Sequence, residues 1–336
     1  MSMKAIGYFR REETSEGLAP LVEREISQPS PGPHDLLIRV KAVSVNPVDL
    51  KVRKNFQLPP GEFKVLGWDA SGVVEKIGSK VDNFKPGDEV YYAGSILRPG
   101  SNAEFQLVDE RVVALKPQKL SHEEAAALPL TSITSYECLF ERLNILVNEP
   151  ASLLIFAGAG GVGSMAIQLA KKLTHLKVIA TASQLESTQW CQKLGADLVI
   201  NHKEDIHEQL RSHGVSEVKY IFSLTHSDVY RDVMEKIIAP QGHICLIDDP
   251  KSFDIIPFKR KSIGIHWESM FTRSTFETSD MIQQHELLKR VADLVDQDRI
   301  QTTIRHLFDG FSITNFEEAY KMIESSHTVG KIVIKY

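Results

Sequence analysis

The chain has 336 residues, of which 42% are apolar and 25% charged, and a formal net charge of −5. That length suggests about two domains, and the balance is that of an ordinary folded protein without a basic run or basic–aromatic block for nucleic acid. No apolar stretch is long enough to cross a membrane, the opening MSMKAIGYFRREE lacks the apolar core of a signal peptide, and Cys138, Cys191 and Cys245 form neither a metal-ligand cluster nor an even disulfide set, so a cytoplasmic location is expected.

Residues 1–120 read as short strands broken by turns. Residues 36–45 (LLIRVKAVSV) alternate apolar and polar side chains in places, as a half-buried strand does, after a loop carrying Pro29, Pro31, Gly32 and Pro33. Gly72-Val73-Val74 and Glu89-Val90-Tyr91-Tyr92 fall in further strands, separated by the turn signal Lys85-Pro86-Gly87-Asp88. This region is expected to be antiparallel and β-rich. At Ser121 the pattern changes, because Ser121 and Glu124 have the spacing of a capping box ahead of an alanine-rich helix. Strands are expected at 152–157, 177–182, 197–201, 218–223, 243–248 and 262–266, the first five separated by helical patterns. In the last of those helices Val229, Val233 and Ile237 recur at four-residue spacing. Alternating βα units imply a parallel, doubly wound sheet of the Rossmann type. Residues 279–298 read as a long helix with Met281, Leu288, Val291 and Val295 on one face. Thr314 and Glu317 suggest another capped helix, and Lys331-Ile332-Val333-Ile334 a final strand.

The most telling segment is Gly158-Ala159-Gly160-Gly161-Val162-Gly163. It follows the apolar run SLLIFA and opens an amphipathic stretch with Val162, Ala166, Leu169 and Leu173 at helical spacing. Strand, glycine turn and helix in that order form the setting of a dinucleotide fingerprint: small residues let a pyrophosphate approach, and the helix N-terminus offers N–H groups.

Motifs spread over nearly the whole chain carry a family resemblance. They are Asn46-Pro47-Val48-Asp49, Gly67-Trp68-Asp69-Ala70-Ser71-Gly72-Val73-Val74, Gly78, Lys85-Pro86-Gly87-Asp88-Glu89-Val90, the glycine turn, Leu194-Gly195-Ala196-Asp197 and Gly330-Lys331-Ile332-Val333. The chain resembles the medium-chain dehydrogenase/reductase superfamily, and within it the zinc-independent quinone oxidoreductases. Its tail, with His266-Trp267-Glu268-Ser269-Met270-Phe271, is similar to a bacterial branch called zinc-type alcohol dehydrogenase-like. The resemblance implies an α/β fold: a discontinuous groES-like β-rich domain at 1–122 and 267–336, a Rossmann domain at 123–266, and an active-site cleft between them.

Catalytic zinc in such dehydrogenases takes Cys, His and a further Cys or acidic ligand. Here Asn46 stands where the first Cys is expected, Gly67-Trp68-Asp69 replaces Gly-His-Glu, and residues 85–120 hold no cysteine for a structural zinc lobe. No metal is therefore expected. NAD-preferring sites place Asp or Glu at the end of the second strand. In Val178-Ile179-Ala180-Thr181-Ala182-Ser183 that position is Ala182, and Ser183 could donate to a 2′-phosphate. NADP(H) is the expected coenzyme, held by Thr134, Gly158, Gly160, Gly161, Val162, Gly163 and Ser183, with Lys203 as a source of positive charge.

Without a Lewis acid, a quinone or enone is an easier hydride acceptor than a simple carbonyl, because its developing charge delocalises. By resemblance Asn46 lines the nicotinamide end of the cleft and its amide could hold a substrate oxygen; Asp49 either joins it or caps the next turn. Residues 50–63 contain no tyrosine, which leaves Tyr92 as candidate proton donor beside solvent. Trp68, Trp267, Met270 and Phe271 are candidates for an apolar wall around a flat substrate. The alternatives are a zinc alcohol dehydrogenase and a non-catalytic NADPH-binding protein. Family members commonly pair through the Rossmann sheet edge, here residues 262–266, so a homodimer is expected.

Overall fold

The protein is described by a computed structural model covering residues 1–10, 17–56 and 58–336. The end of the opening segment and Gln57, within the stretch searched for a tyrosine, lie outside the described residues. Backbone proximity divides the chain into two compact units, Met1–Leu130 with Phe271–Tyr336, and Thr131–Met270. These boundaries fall a few residues beyond those expected from the sequence.

The first unit is built on two sheets. A small antiparallel one joins Val22–Ser27, Ser2–Phe9 and Phe63–Val65. The larger, seven-stranded sheet centres on Asp35–Ser44, which pairs antiparallel with Ala70–Ile77, Phe105–Asp109 and Lys331–Lys335. Leu36, Leu37, Ile38, Ala42 and Val43 on that central strand are buried, whereas Arg39 points outward to Glu75. Among the described residues of 1–120 the strands pair antiparallel, as expected; a parallel pair enters this sheet only where Ile304–Asp309, which the sequence reading did not find, lies beside Lys331–Lys335.

The helix Gln283–Asp296 buries Leu287, Leu288, Val291, Leu294 and Val295 and packs on Val113–Leu115. Met281, expected on its face, is buried just ahead of it, in a turn closed by Met281 N–H on the Thr278 carbonyl. The cap expected at Thr314 is corrected to Ser312, whose hydroxyl accepts the Asn315 N–H at 3.3 Å. Ser312 has the extended backbone a cap requires, and Thr314 already lies inside the helix Ile313–Glu324. Glu317 instead pairs with the buried Arg53 at 2.7 Å.

The second unit is a six-stranded sheet, all parallel, from Ser152–Ile155, Lys177–Thr181, Leu198–Ile200, Val218–Ser223, Ile238–Leu246 and Gly264–Trp267. In chain order the strands stand third, second, first, fourth, fifth, sixth across the sheet. The order reverses between the first and fourth strands, where ligands bind in doubly wound folds. The fifth strand begins earlier than expected, directly after the helix Ser227–Ile237. That helix turns Met234 and Ile237 inward with Tyr230 and Val233 beside them; Val229 is 69% exposed, so it lies off the apolar stripe. Gly264–Trp267 is the sheet edge.

Candidate functional site

The glycine turn joins the first Rossmann strand to the helix Gly161–Leu173, with Gly160 as its N-cap. Its one left-handed residue is Ala157, at φ 56°. Here, then, Gly158 and Gly163 serve for close approach: a Cβ on Gly158 would stand 2.7 Å from the Ala180 Cβ, and one on Gly163 2.6 Å from the Gly158 carbonyl oxygen. The second strand holds the turn in place, Thr181 accepting the Ala157 N–H through Oγ1 at 2.9 Å and the Gly158 N–H through its carbonyl at 3.0 Å. Ser164 makes the first intrahelical bond, to Gly160 O at 2.8 Å. The N–H groups of Gly161, Val162 and Gly163 precede it and have no acceptor within the helix, which is the arrangement that receives a phosphate.

At the ends of the second and third strands lies a groove of about 250 Å³, lined by Ala182, Ser183, Gln184, Thr188, Asn201 and Gln209 among others. No lining residue is charged. Asn201 and Gln209 brace one wall, Asn201 N–H donating to Gln209 Oε1 and Gln209 Nε2 donating to Asn201 O, both at 2.8 Å. The sequence reading found Ser183 but missed Thr188, Asn201 and Gln209, because βα-loop residues carry no periodic signal. Lys203 is exposed and outside the groove lining; its N–H bonds Asn201 Oδ1 at 3.0 Å. Thr134 is buried on the helix Pro129–Tyr136.

In the other unit, Asn46 and Asp69 meet around a lysine that the sequence reading quoted only as part of a motif. Lys331, on the last strand, is 4% exposed. Its ammonium donates to Val45 O at 3.0 Å and to Asn46 Oδ1, and forms an ion pair with Asp69 Oδ2 at 3.1 Å. Asn46 Nδ2 donates to Ser44 O and Asp69 Oδ2, each at 3.1 Å, and Asp69 Oδ1 accepts the Leu130 N–H at 3.1 Å. Burial raises the Asp69 carboxyl above its usual range, with Lys331 and these donors pulling it back. Both amide hydrogens of Asn46 are thus spent inside the network. This revises the expectation that its amide holds a substrate oxygen: the buried Asp69 carboxylate takes it first.

Asp49 caps the helix Pro47–Asn55, its Oδ2 accepting the Asn46 N–H at 2.7 Å. Its Oδ1 has no partner among the described residues, and burial pushes the carboxyl up to about 7. Tyr92 is fully buried, its hydroxyl likewise without a partner among the described residues, and burial alone holds the phenol neutral far into alkali. Trp68 is buried edge-on to Phe271, ring centres 6.4 Å apart, and Met270 is buried. Trp267 does not share that setting, being 56% exposed on the edge strand.

A Rossmann unit with this turn and a β-rich unit of this topology define a two-unit dehydrogenase. The sequence matches the alcohol dehydrogenase GroES-like domain over residues 32–118 and the zinc-binding dehydrogenase domain over residues 194–334. It is 43% identical to a zinc-type alcohol dehydrogenase-like protein of Staphylococcus aureus, over 99% of each chain. It is 39% identical to the 2-methylene-furan-3-one reductase of Solanum lycopersicum, over 93% of this chain and 74% of that one. A crystal structure from Rhizobium etli, assigned provisionally to the zinc-dependent alcohol dehydrogenases, superposes with a TM-score of 0.94 at 48% identity, covering 100% of this chain and 98% of that one. The chain belongs to the medium-chain dehydrogenase/reductase superfamily of oxidoreductases.

The family descriptions imply zinc, and the donor set around Asn46 does not fit one. An amide already bonded at both ends, an indole, and a carboxylate carrying an ammonium and two further donors leave no nitrogen or sulfur ligand for the ion. Among the described residues no group of three or more His, Cys, Asp or Glu side chains could hold a metal. No helix among them is long and apolar enough to cross a membrane.

Proposed function

We propose that the protein is an NADPH-dependent reductase that delivers hydride to a quinone or other α,β-unsaturated carbonyl compound without zinc. The observation that carries this reading is the glycine turn beside a groove free of carboxylates, with Ala182 and Ser183 where an NAD site would present an acid. Bound there, the reduced nicotinamide would supply the hydride. The chain's own part is to hold the pyrophosphate on the helix N-terminus, to fix the groove walls through Asn201 and Gln209, and to position the acceptor. Buried Tyr92 is poorly placed to exchange a proton with water, so the proton that follows hydride comes from solvent. The similarity to a 2-methylene-furan-3-one reductase supports a conjugated acceptor.

The test is turnover of NADPH with a panel of quinones and enones, run with and without a strong chelator. Activity on conjugated acceptors, unchanged by chelation, is expected. Activity restored only by zinc would overturn the metal-free reading, and binding of NADPH without turnover of any acceptor would make the protein a coenzyme-binding module.

Coenzyme choice is tested at Ser183. Only NADPH carries a 2′-phosphate for its hydroxyl, so Ser183→Ala is expected to raise Kd for NADPH several-fold, about 1 kcal/mol for one lost hydrogen bond, and to leave NADH nearly unchanged. Equal losses for both coenzymes would take Ser183 out of that role.

We further propose a homodimer that continues the Rossmann sheet through Gly264–Trp267. That strand is the sheet edge, and Trp267 beside it is exposed; symmetric pairing would satisfy its outward N–H and C=O groups. Light scattering at micromolar concentration is expected to give twice the chain mass, and a clean single-chain mass would refute the dimer.

A further inference from the structure

Two histidines meet on the Rossmann sheet, on residues that the coenzyme groove and the hydride chemistry do not use. Register pairs Tyr220 on the fourth strand with His243 on the fifth, and His243 with Gly264 on the edge strand. Side chains alternate between the faces of a strand, so His266, two residues beyond Gly264, rises on the same face as His243. The three rings form a stack. Tyr220 and His243 have centres 6.1 Å apart and planes 21° apart; for His243 and His266 the values are 5.4 Å and 26°. At one end the Tyr220 hydroxyl donates to Glu149. At the other, His243 Nδ1 and His266 Nε2 stand 3.2 Å apart, within hydrogen-bonding distance. Gly264 makes the room for this meeting. A Cβ there would lie 2.6 Å from His243 Nδ1 and 2.9 Å from His266 Nε2, so a larger residue on the edge strand would part the rings.

A bond between two imidazoles restricts where their protons sit. A neutral ring carries one donor and one acceptor nitrogen. His266 Nε2–H donates to His243 Nδ1 only if both rings hold their proton on Nε2. The reverse direction requires both to hold it on Nδ1. The two rings must therefore be in the same tautomer. A first added proton can settle on a nitrogen outside the bond and leave N–H···N intact. A second cannot, because both facing nitrogens then carry hydrogen and both rings carry charge.

The surroundings do not relieve that charge. On the fourth strand Lys219 donates from its ammonium to the Gln241 carbonyl at 2.7 Å. Glu149 is the one acid facing the stack, and it is bonded to Tyr220. Cys245 lies opposite His266 on the fifth strand, and Arg142 is held by Glu268 at 2.9 Å. Burial holds His243 toward its neutral form, with Lys219 adding to the effect and Glu149 opposing it. Burial does the same to His266, reinforced by His243 and then Arg142.

We propose that His243 and His266 form an acid-sensitive latch that ties the edge strand to the fifth strand, closed by one N–H···N bond and opened when both rings are charged. The unfolded chain charges both rings below the ordinary histidine value of about 6.5, whereas the folded pair resists the second proton. The latch therefore contributes its full stability above that value and loses it as pH falls through the lowered folded range.

Nuclear magnetic resonance of the full chain with ¹⁵N-labelled histidine tests this, with signals assigned through His243→Gln and His266→Gln. At about pH 8, well above the ordinary histidine value, the wild type is expected to show His243 and His266 in the same tautomer. On acidification the two are expected to titrate as a coupled pair, the second step below the ordinary histidine range. In His266→Gln the remaining His243 is expected to titrate in one step and at higher pH than that second step. In denaturant titrations below about pH 6.5, the unfolding constant of the wild type is expected to rise relative to His266→Gln, by up to tenfold per pH unit. Opposite tautomers in the wild type would overturn the proposal even if neither variant folds. So would two independent single-step titrations, or the same pH dependence of stability in wild type and His266→Gln.

Discussion

Lys331→Met is expected to destabilise the protein by about 3–5 kcal/mol at neutral pH, the cost of leaving a buried charge without its partner. The ammonium donates to Val45 O and Asn46 Oδ1 and pairs with Asp69 Oδ2, and both charged side chains are at most 4% exposed. Methionine fills similar volume and donates nothing, so the Asp69 carboxylate keeps only the Asn46 and Leu130 donors. Adding Asp69→Asn should recover much of the loss, because a neutral amide still accepts from Leu130 and leaves no buried charge. Acid should recover part of it as well. Burial already raises the Asp69 carboxyl, and without Lys331 it rises further, so the folded variant binds a proton that the unfolded chain has released. The deficit should therefore shrink from pH 8 toward pH 5. Denaturant unfolding of the three variants at those pH values measures this. A loss under about 1 kcal/mol for Lys331→Met, or a double variant less stable than the single one, would show that the pair is not what holds Asn46 in place.

That network marks where the sequence stops being legible. The Rossmann unit could be read strand by strand because a parallel sheet buried on both faces forces continuous apolar runs. The glycine turn, with a strand before it and a helix after it, likewise follows from local order alone. The β-rich unit was legible only in part. Ile304–Asp309 alternates weakly and leaves Arg305, His306 and Leu307 exposed, so it shows no strand pattern. Its place is set by Lys331–Lys335 arriving beside it from later in the chain.

The same reason explains the site residues. Asn46, Asp49 and Trp68 could be singled out as motif members, but the charged groups that Asn46 meets, Asp69 and Lys331, come from other segments of the chain. Lys331 lies 285 positions from Asn46, and no spacing rule reaches that far. Reading Asn46 as a free amide failed because its two amide hydrogens go to the Ser44 carbonyl and the buried Asp69 carboxylate. Trp267 was grouped with Trp68 by side-chain type alone, yet an edge strand exposes what an interior strand would bury. Asn201 and Gln209 become recognisable only once the second and third strands stand side by side.

Gly161→Asp is expected to weaken NADPH binding by more than tenfold, about 1.4 kcal/mol, while the protein stays folded. Gly161 is the first residue of a helix of 13 residues, and its N–H is one of three that precede the first intrahelical bond. A carboxylate there stands at the positive end of the helix, an arrangement that by itself stabilises by about 0.3–1 kcal/mol. Melting temperature should therefore hold or rise slightly in the absence of coenzyme. The same carboxylate would compete for the N–H groups that receive the pyrophosphate and would repel its charges, so affinity should fall in the opposite sense to stability. Gly161→Ala adds a methyl group and no charge, and its loss should be clearly smaller. Raising the salt concentration should narrow the gap between the two variants, since screening weakens repulsion but not steric contact. Calorimetric titration of NADPH into the three proteins at two salt concentrations separates these contributions. A folded Gly161→Asp with wild-type affinity would move the coenzyme away from this turn, whereas equal losses in Gly161→Asp and Gly161→Ala would point to crowding of the turn in place of lost phosphate contacts.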